Sequence, residues 1–322
     1  MCRRCVNVQL LDVSGWDRWS DRIVMRLEHC RRMGQFQRLR ILLMRGCAVI
    51  TDSAVRGLLE SLGSSLQHLD LQDCLRLGAA CLPPCLDELK VLLFGYQKRR
   101  GKLAEGDIVT QIIGKKRLIA PKLEWLSLQN RLEARSLEGI ERLAGTLKVL
   151  DLRGCSEIPS VEYKRCATLR GLKQLFVGTA LGSDVVCEIA RGCRELQVLD
   201  LSGSELSPHG IELICANLGS LEKLKLTRCT SLTNTALCSL LGSLRKLSLL
   251  DVSHCWKLSD SIVSILPPIA STNDLHVGVH NCSLDDTGLA IAISDRRRNS
   301  SATVKMSRHQ ELQVTPVGNK YS

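Results

Sequence analysis

The sequence has 322 residues, of which 44% are apolar and 24% charged, with a formal net charge of +11. That is the balance of an ordinary folded protein, but at 3% aromatic content it excludes a core built mainly on large rings. No run of about 18 apolar residues is present to span a bilayer, and the opening MCRRCVNVQLLDVSG lacks the apolar stretch of about 7–15 residues that marks a signal peptide. The positive charge suits an acidic partner such as nucleic acid, an acidic protein surface or an anionic membrane, and says nothing about fold. The 16 cysteines without a secretory signal predict free, buried thiols in a reducing compartment. Cytoplasm or nucleus fits best. A mitochondrial location is left open, although Asp12, Asp17 and Asp21 interrupt the basic start of a transit peptide.

Along the chain one phrase recurs, L-x-x-L-x-L-x-x-C. A weak copy starts near Val8, followed by LRILLMRGC (Leu39–Cys47), LQHLDLQDC (Leu66–Cys74) and a weak copy near Leu89. Next come LEWLSLQNR (Leu123–Arg131), LKVLDLRGC (Leu147–Cys155), LKQLFVGTA (Leu172–Ala180) and LQVLDLSGS (Leu196–Ser204). The series continues with LEKLKLTRC (Leu221–Cys229), LSLLDVSHC (Leu247–Cys255), DLHVGVHNC (Asp274–Cys282) and a weak copy near Ser301. Most starts are roughly 23–27 residues apart, the period of a leucine-rich repeat.

Between phrases a second pattern returns: a small polar residue, Asp or Asn, any residue, a small residue, then an aliphatic one. Thr51-Asp52-Ser53-Ala54-Val55, Thr233-Asn234-Thr235-Ala236-Leu237, Ser259-Asp260-Ser261-Ile262-Val263 and Asp285-Asp286-Thr287-Gly288-Leu289 are examples. Such residues cap helix N-termini, and Ser207-Pro208 adds Pro at the first helical position. Apolar residues follow at helical spacing, as in Leu237, Leu240 and Leu241. Each unit therefore reads as a short strand, a turn and a helix. Strand aliphatics point inward by period two, a helix stripe closes the core, and neighbouring units must stack to bury both. The predicted fold is an α/β leucine-rich-repeat solenoid (horseshoe) of about a dozen units over residues 1–308. Parallel strands would line a concave face, helices a convex one, and 309–322 would form a polar tail. Cys47, Cys74, Cys155, Cys229, Cys255 and Cys282 close the phrase, where a small weak donor can meet backbone groups under the turn. Cys193 precedes LQVL, and all seven are expected to be inert.

The combination C-x-x-L-x-x-L-x-L-x-x-C followed by L-T-D-x-x-L resembles the cysteine-containing leucine-rich repeats typical of F-box/LRR proteins. The resemblance covers nearly the whole chain. It implies an intracellular, non-catalytic adaptor that binds protein through the concave face, and a substrate-recognition subunit of a ubiquitin ligase as one role. The chain starts almost inside a repeat, and no segment like the helical F-box is found ahead of it. The opening stretch through Gln35, with Trp16 and Trp19, is expected to cap the exposed end.

The x residues of L-x-L predict the partner face: Arg45; His68, Asp70 and Gln72; Trp125, Ser127 and Gln129; and Asp151 with Arg153. It continues through Gln174 and Phe176, Asp200, Lys223 and Lys225, Asp251, and His276 with His280. Trp125 and Phe176 stand out as exposed aromatic anchors, with Arg153, Lys223 and Lys225 as charged handles. The aspartates Asp12, Asp70, Asp151, Asp200 and Asp251 share one repeat position and are expected to be solvated and satisfied locally. Between Leu89 and Leu123 the spacing lengthens, and the excess, near residues 95–122, is read as a basic loop. It carries Lys98, Arg99, Arg100, Lys102, Lys115, Lys116, Arg117 and Lys122. Such a loop could clamp RNA phosphates or an acidic protein patch, which supports the alternative of a structural subunit or assembly factor of a large complex, a ribonucleoprotein included. Arg296, Arg297 and Arg298 form a smaller basic run. No cofactor or metal site is predicted: the pairs Cys2/Cys5 and Cys81/Cys85 lie in different repeats. No phosphate loop, dinucleotide fingerprint or nucleophile elbow occurs.

Overall fold

The computed structural model describes residues 5–16, 19–63, 65–96, 107–114, 118–269, 273–295 and 303–307. The chain divides into two compact units, residues 1–159 and 160–322.

In the first unit the strands are β1 (Leu10–Asp12), β2 (Ile41–Leu43), β3 (His68–Asp70), β4 (Val91–Leu93), β5 (Trp125–Ser127) and β6 (Val149–Asp151). They lie side by side in sequence order, all parallel. The connections carry helices α1 (Asp21–Arg32), α2 (Asp52–Leu62) and α3 (Ile108–Ile113), with 3₁₀ turns at Ala79–Cys81 and Ile140–Leu143. The register stacks Leu42, Leu69, Leu92, Leu126 and Leu150 into one column, and all are buried. Each such aliphatic contributes about 1.5–3 kcal/mol on burial. The second unit repeats the plan. Its strands β7 (Gln174–Phe176), β8 (Val198–Asp200), β9 (Lys223–Lys225), β10 (Leu249–Asp251), β11 (Leu275–Gly278) and β12 (Val304–Ser307) are again parallel neighbours. Its helices are α4 (Ser183–Gly192), α5 (Pro208–Asn217), α6 (Asn234–Ser243), α7 (Ile262–Ile265) and α8 (Asp286–Asp295), preceded by a 3₁₀ stretch, Ser160–Thr168. Every copy of the phrase, the weak ones included, thus supplies a strand. Each unit is a leucine-rich-repeat stack.

The cysteines do what a small weak donor can do. Cys74 Sγ donates to Met44 O at 3.0 Å, Cys155 to Leu128 O at 2.9 Å and Cys255 to Leu226 O at 3.2 Å. Cys282 reaches Val252 O at 3.1 Å and Cys193 reaches Cys166 O at 3.0 Å. Each thiol satisfies a carbonyl of the preceding repeat and ties two units of the stack. Burial pushes the Cys155, Cys193 and Cys229 thiols up to about 12. Every described cysteine is a free thiol.

The helix-start pattern works differently from the expectation. Ser207 and Thr233 do cap, accepting from Gly210 N and Ala236 N, but Thr51 makes no cap bond. The Asp or Asn that follows instead staples the next repeat: Asp21 accepts from Thr51 N, Asp52 from Gly78 N and Asn234 from Ser259 N, at 2.8–3.1 Å. The N–H groups opening each ascending turn would otherwise be orphaned, and a side-chain oxygen from the neighbouring repeat is in reach.

The stretch 95–122 also differs from a plain loop. Within it Asp107 caps α3 by accepting from Val109 N at 3.0 Å, and Ile108, Val109, Ile112 and Ile113 are buried. The apolar IVTQII provides its repeat with a helix. The cations Lys98, Arg99, Arg100, Lys102, Lys115, Lys116 and Arg117 lie outside the described residues, as do Cys2, Arg296 to Arg298 and the tail 309–322. At the N-terminal end Trp19 is buried and meets the exposed Trp16 edge to face, centroids 5.9 Å apart.

Candidate interaction face

The first and third residues of β1–β10, and in register with them the second and fourth of β11 and β12, make up the strand face. Parallel strands sit about 4.8 Å apart, so large side chains on one face cover one another. This corrects the reading of the aromatics as exposed. Phe176 is 0% exposed and Trp125 7%. The Trp125 indole N–H is buried without a hydrogen-bond partner. His68, in register with Ile41 and Val91, is 6% exposed, and burial pushes its imidazole down to about 4.

The polar members are drawn into two clusters. Arg45 pairs with Asp70 at 3.4 Å and donates to Gln72. Arg153 meets Asp151 through Nη2 at 2.7 Å, and Gln129 Nε2 donates to the same carboxylate at 2.9 Å. The charges predicted as handles are thus partly spent within the face. The aspartates are satisfied locally, as expected: Asp12, Asp70, Asp151, Asp200 and Asp251 each accept the backbone N–H two residues on. Except for Asp12 they are buried rather than solvated. Burial pushes Asp70 above the ordinary carboxylate range. Lys223 and Lys225 stand together on β9, beside Val198 and Leu249 and beside Asp200 and Asp251 respectively, and both are half-buried.

A feature that the phrase alone does not reveal lies just past the strands. The residue before the phrase-closing position has positive φ in most repeats: Gly15, Gly46, Asp73, Asn130, Gly154 and Gly203, then Arg228 (61°), His254 (60°) and Asn281 (58°). Glycine adopts that conformation freely and Asn or Asp with little strain, whereas it costs other residues about 1–2 kcal/mol. Aligning the phrases on their cysteines exposes the signal: a bulky residue where the repeat wants glycine. Two residues past His254, Trp256 is 69% exposed.

A second placement hidden from the phrase is Arg131, in the cysteine position of its repeat. Its guanidinium is fully buried between the rings of Phe94 (3.9 Å) and Tyr96 (4.1 Å). It donates to Phe94 O, Leu77 O and Tyr96 Oη, each at 2.7 Å. Beside it Gly95 passes so close to β5's turn that a Cβ would stand 2.7 Å from Gln129 N.

Among the described residues no group of three or more His, Cys, Asp or Glu is placed to hold a metal ion, and no helix is long and apolar enough to cross a membrane. The parallel repeats, the cysteine ladder and the strand face are those of a leucine-rich-repeat fold with cysteine-containing repeats, and the similarity to known proteins points toward F-box/LRR proteins. Bovine F-box/LRR-repeat protein 4 is 28% identical over 141 residues, which are 42% of this chain and 22% of that protein. The chain therefore spans about a fifth of the length of that relative. The yeast structure described as the complex of Rad7 and Elc1 shares the fold, with a TM-score of 0.61, 14% identity, and coverage of 87% of this chain and 71% of that one. No family model matches the sequence.

Proposed function

We propose that this chain is a non-catalytic intracellular scaffold that recognises a protein partner, and that it serves as a substrate-recognition subunit of a ubiquitin ligase. The carrying observation is the strand face of each unit, where parallel strands in register present side chains that vary from repeat to repeat on a repeated frame. Binding energy then sits in grafted side chains, while the fold only holds them. The resemblance to an F-box/LRR protein supports the ligase role, and a structure of the same fold is described as a complex of two proteins, Rad7 and Elc1, which fits a protein partner. The free thiols favour a reducing compartment.

Affinity purification of the tagged chain from its host at low and high salt, read by mass spectrometry, tests this. Cullin-type ligase subunits retained at both salts are the expected result. A set of RNA-associated proteins lost at high salt would overturn the ligase role and favour the assembly-factor alternative.

A further inference from the structure

We propose that the rim beyond the C-terminal ends of β9, β10 and β11 docks an acidic peptide segment that also carries an aromatic side chain. The proposal rests on the scaffold reading and names the chemistry of its partner. Three consecutive repeats place Arg228, His254 and Asn281 in the left-handed conformation. Adjacent strands are about 4.8 Å apart, so these side chains form one row. Arginine gains nothing from that backbone geometry. A side chain held there against local preference points to a use for its head group.

The surroundings supply two kinds of contact. The first is positive charge. Arg228 is exposed, and Lys223 and Lys225 stand behind it on β9. The carboxylates nearest in register, Asp200 and Asp251, are buried, whereas Arg228 is exposed, so the charge that faces outward is positive. The second is aromatic surface. The His254 and His280 rings meet edge to face at 5.0 Å, and Trp256, two residues past His254, is exposed. An arginine fork matches a carboxylate in two parallel bonds, and an open tryptophan favours an aromatic partner ring. The cations Lys223, Lys225 and Arg228 are few and confined to one repeat, too short a run to follow a line of phosphates. A peptide fits better, since its acidic residues can alternate with neutral ones.

The test uses the full chain and a short fluorescein-labelled peptide of repeated Glu-Glu-Phe, read by anisotropy. The same peptide with Lys for Glu and an equally short oligo-uridine serve as comparators. Wild type is expected to bind the Glu-Glu-Phe peptide in preference to both. Arg228→Gly should weaken binding about tenfold and Trp256→Ala about fivefold. Arg245→Glu, at an exposed arginine outside the rim, should change it by less than about twofold. Glycine suits the backbone at 228, so thermal melting of Arg228→Gly should show a fold at least as stable as wild type. Absence of peptide binding, unchanged binding by a well-folded Arg228→Gly, or tighter binding of oligo-uridine would each overturn the proposal. Partner capture that persists in Arg228→Gly would remove the rim and leave the scaffold reading standing.

Discussion

Arg131 shows what the cysteine position asks of a side chain. The neighbouring thiols satisfy one carbonyl each, whereas Arg131 satisfies two carbonyls and a phenol while filling the space between two rings. Truncating it would leave those acceptors buried and unpaired. Arg131→Ala is therefore expected to cost about 3–5 kcal/mol, read as a drop in the urea midpoint. Among point changes to a single repeat it should be one of the largest. His68 makes a different demand, because its imidazole is held at about 4 against 6.5 in a free chain. Above pH 6.5 both states are neutral and nothing is lost. As pH falls from 6.5 towards 4 the unfolded chain protonates first, so stability declines through that window by up to about 3 kcal/mol. His68→Leu, between Ile41 and Val91, should flatten the decline. Equal slopes for variant and wild type in urea titrations at several pH values would rule this account out.

At the scale of the element, the cysteine ladder and the aspartate staples do the same work on two sides of each turn. Both satisfy backbone groups of an adjacent repeat, so both couple neighbours rather than stabilise one unit. Cys255→Ala removes the bond to Leu226 O and leaves a small void, at an expected cost of about 1–2 kcal/mol. Asp52→Ala should cost about 1 kcal/mol and speed amide exchange at Gly78, whose N–H it leaves bare. An unchanged exchange rate at Gly78 would mean that the staple is incidental. The ladder is legible in the sequence because cysteine recurs in phase with the strand. The staples look like caps in sequence, since Thr51-Asp52 has the same local pattern whichever N–H the aspartate meets. Strand positions are legible even in the weak phrases. The burial of Phe176 is not, because alternation says which face a ring occupies but not how closely the flanking strands cover it. Arg131 and Arg228 escape for a related reason: a motif reports what usually fills a position, and these two residues depart from it. Of the two departures, Arg131 serves the core, and Arg228 stands at the proposed rim.

On the whole molecule the +11 charge is divided among surfaces with different chemistry. The rim of β9–β11 mixes cations with histidine, tryptophan and buried carboxylates. The cations of the 95–122 stretch form a denser run, which by composition favours polyanions of any sequence. These contributions should separate. Replacing Lys98, Arg99, Arg100, Lys102, Lys115, Lys116 and Arg117 together by Gln removes seven positive charges without touching the buried face of α3. The variant is expected to leave heparin at clearly lower salt than wild type, because each cation withdrawn from a polyanion lowers the salt dependence by about one counterion. Its affinity for the Glu-Glu-Phe peptide should stay within about twofold, because Arg228, Lys223 and Trp256 are untouched. Loss of peptide and heparin binding together would show that one diffuse positive field governs both, and the rim would then have no chemistry of its own. Loss of heparin binding alone would place partner selection in side chains mounted on the strand ends, where a repeat can change one side chain without disturbing its core.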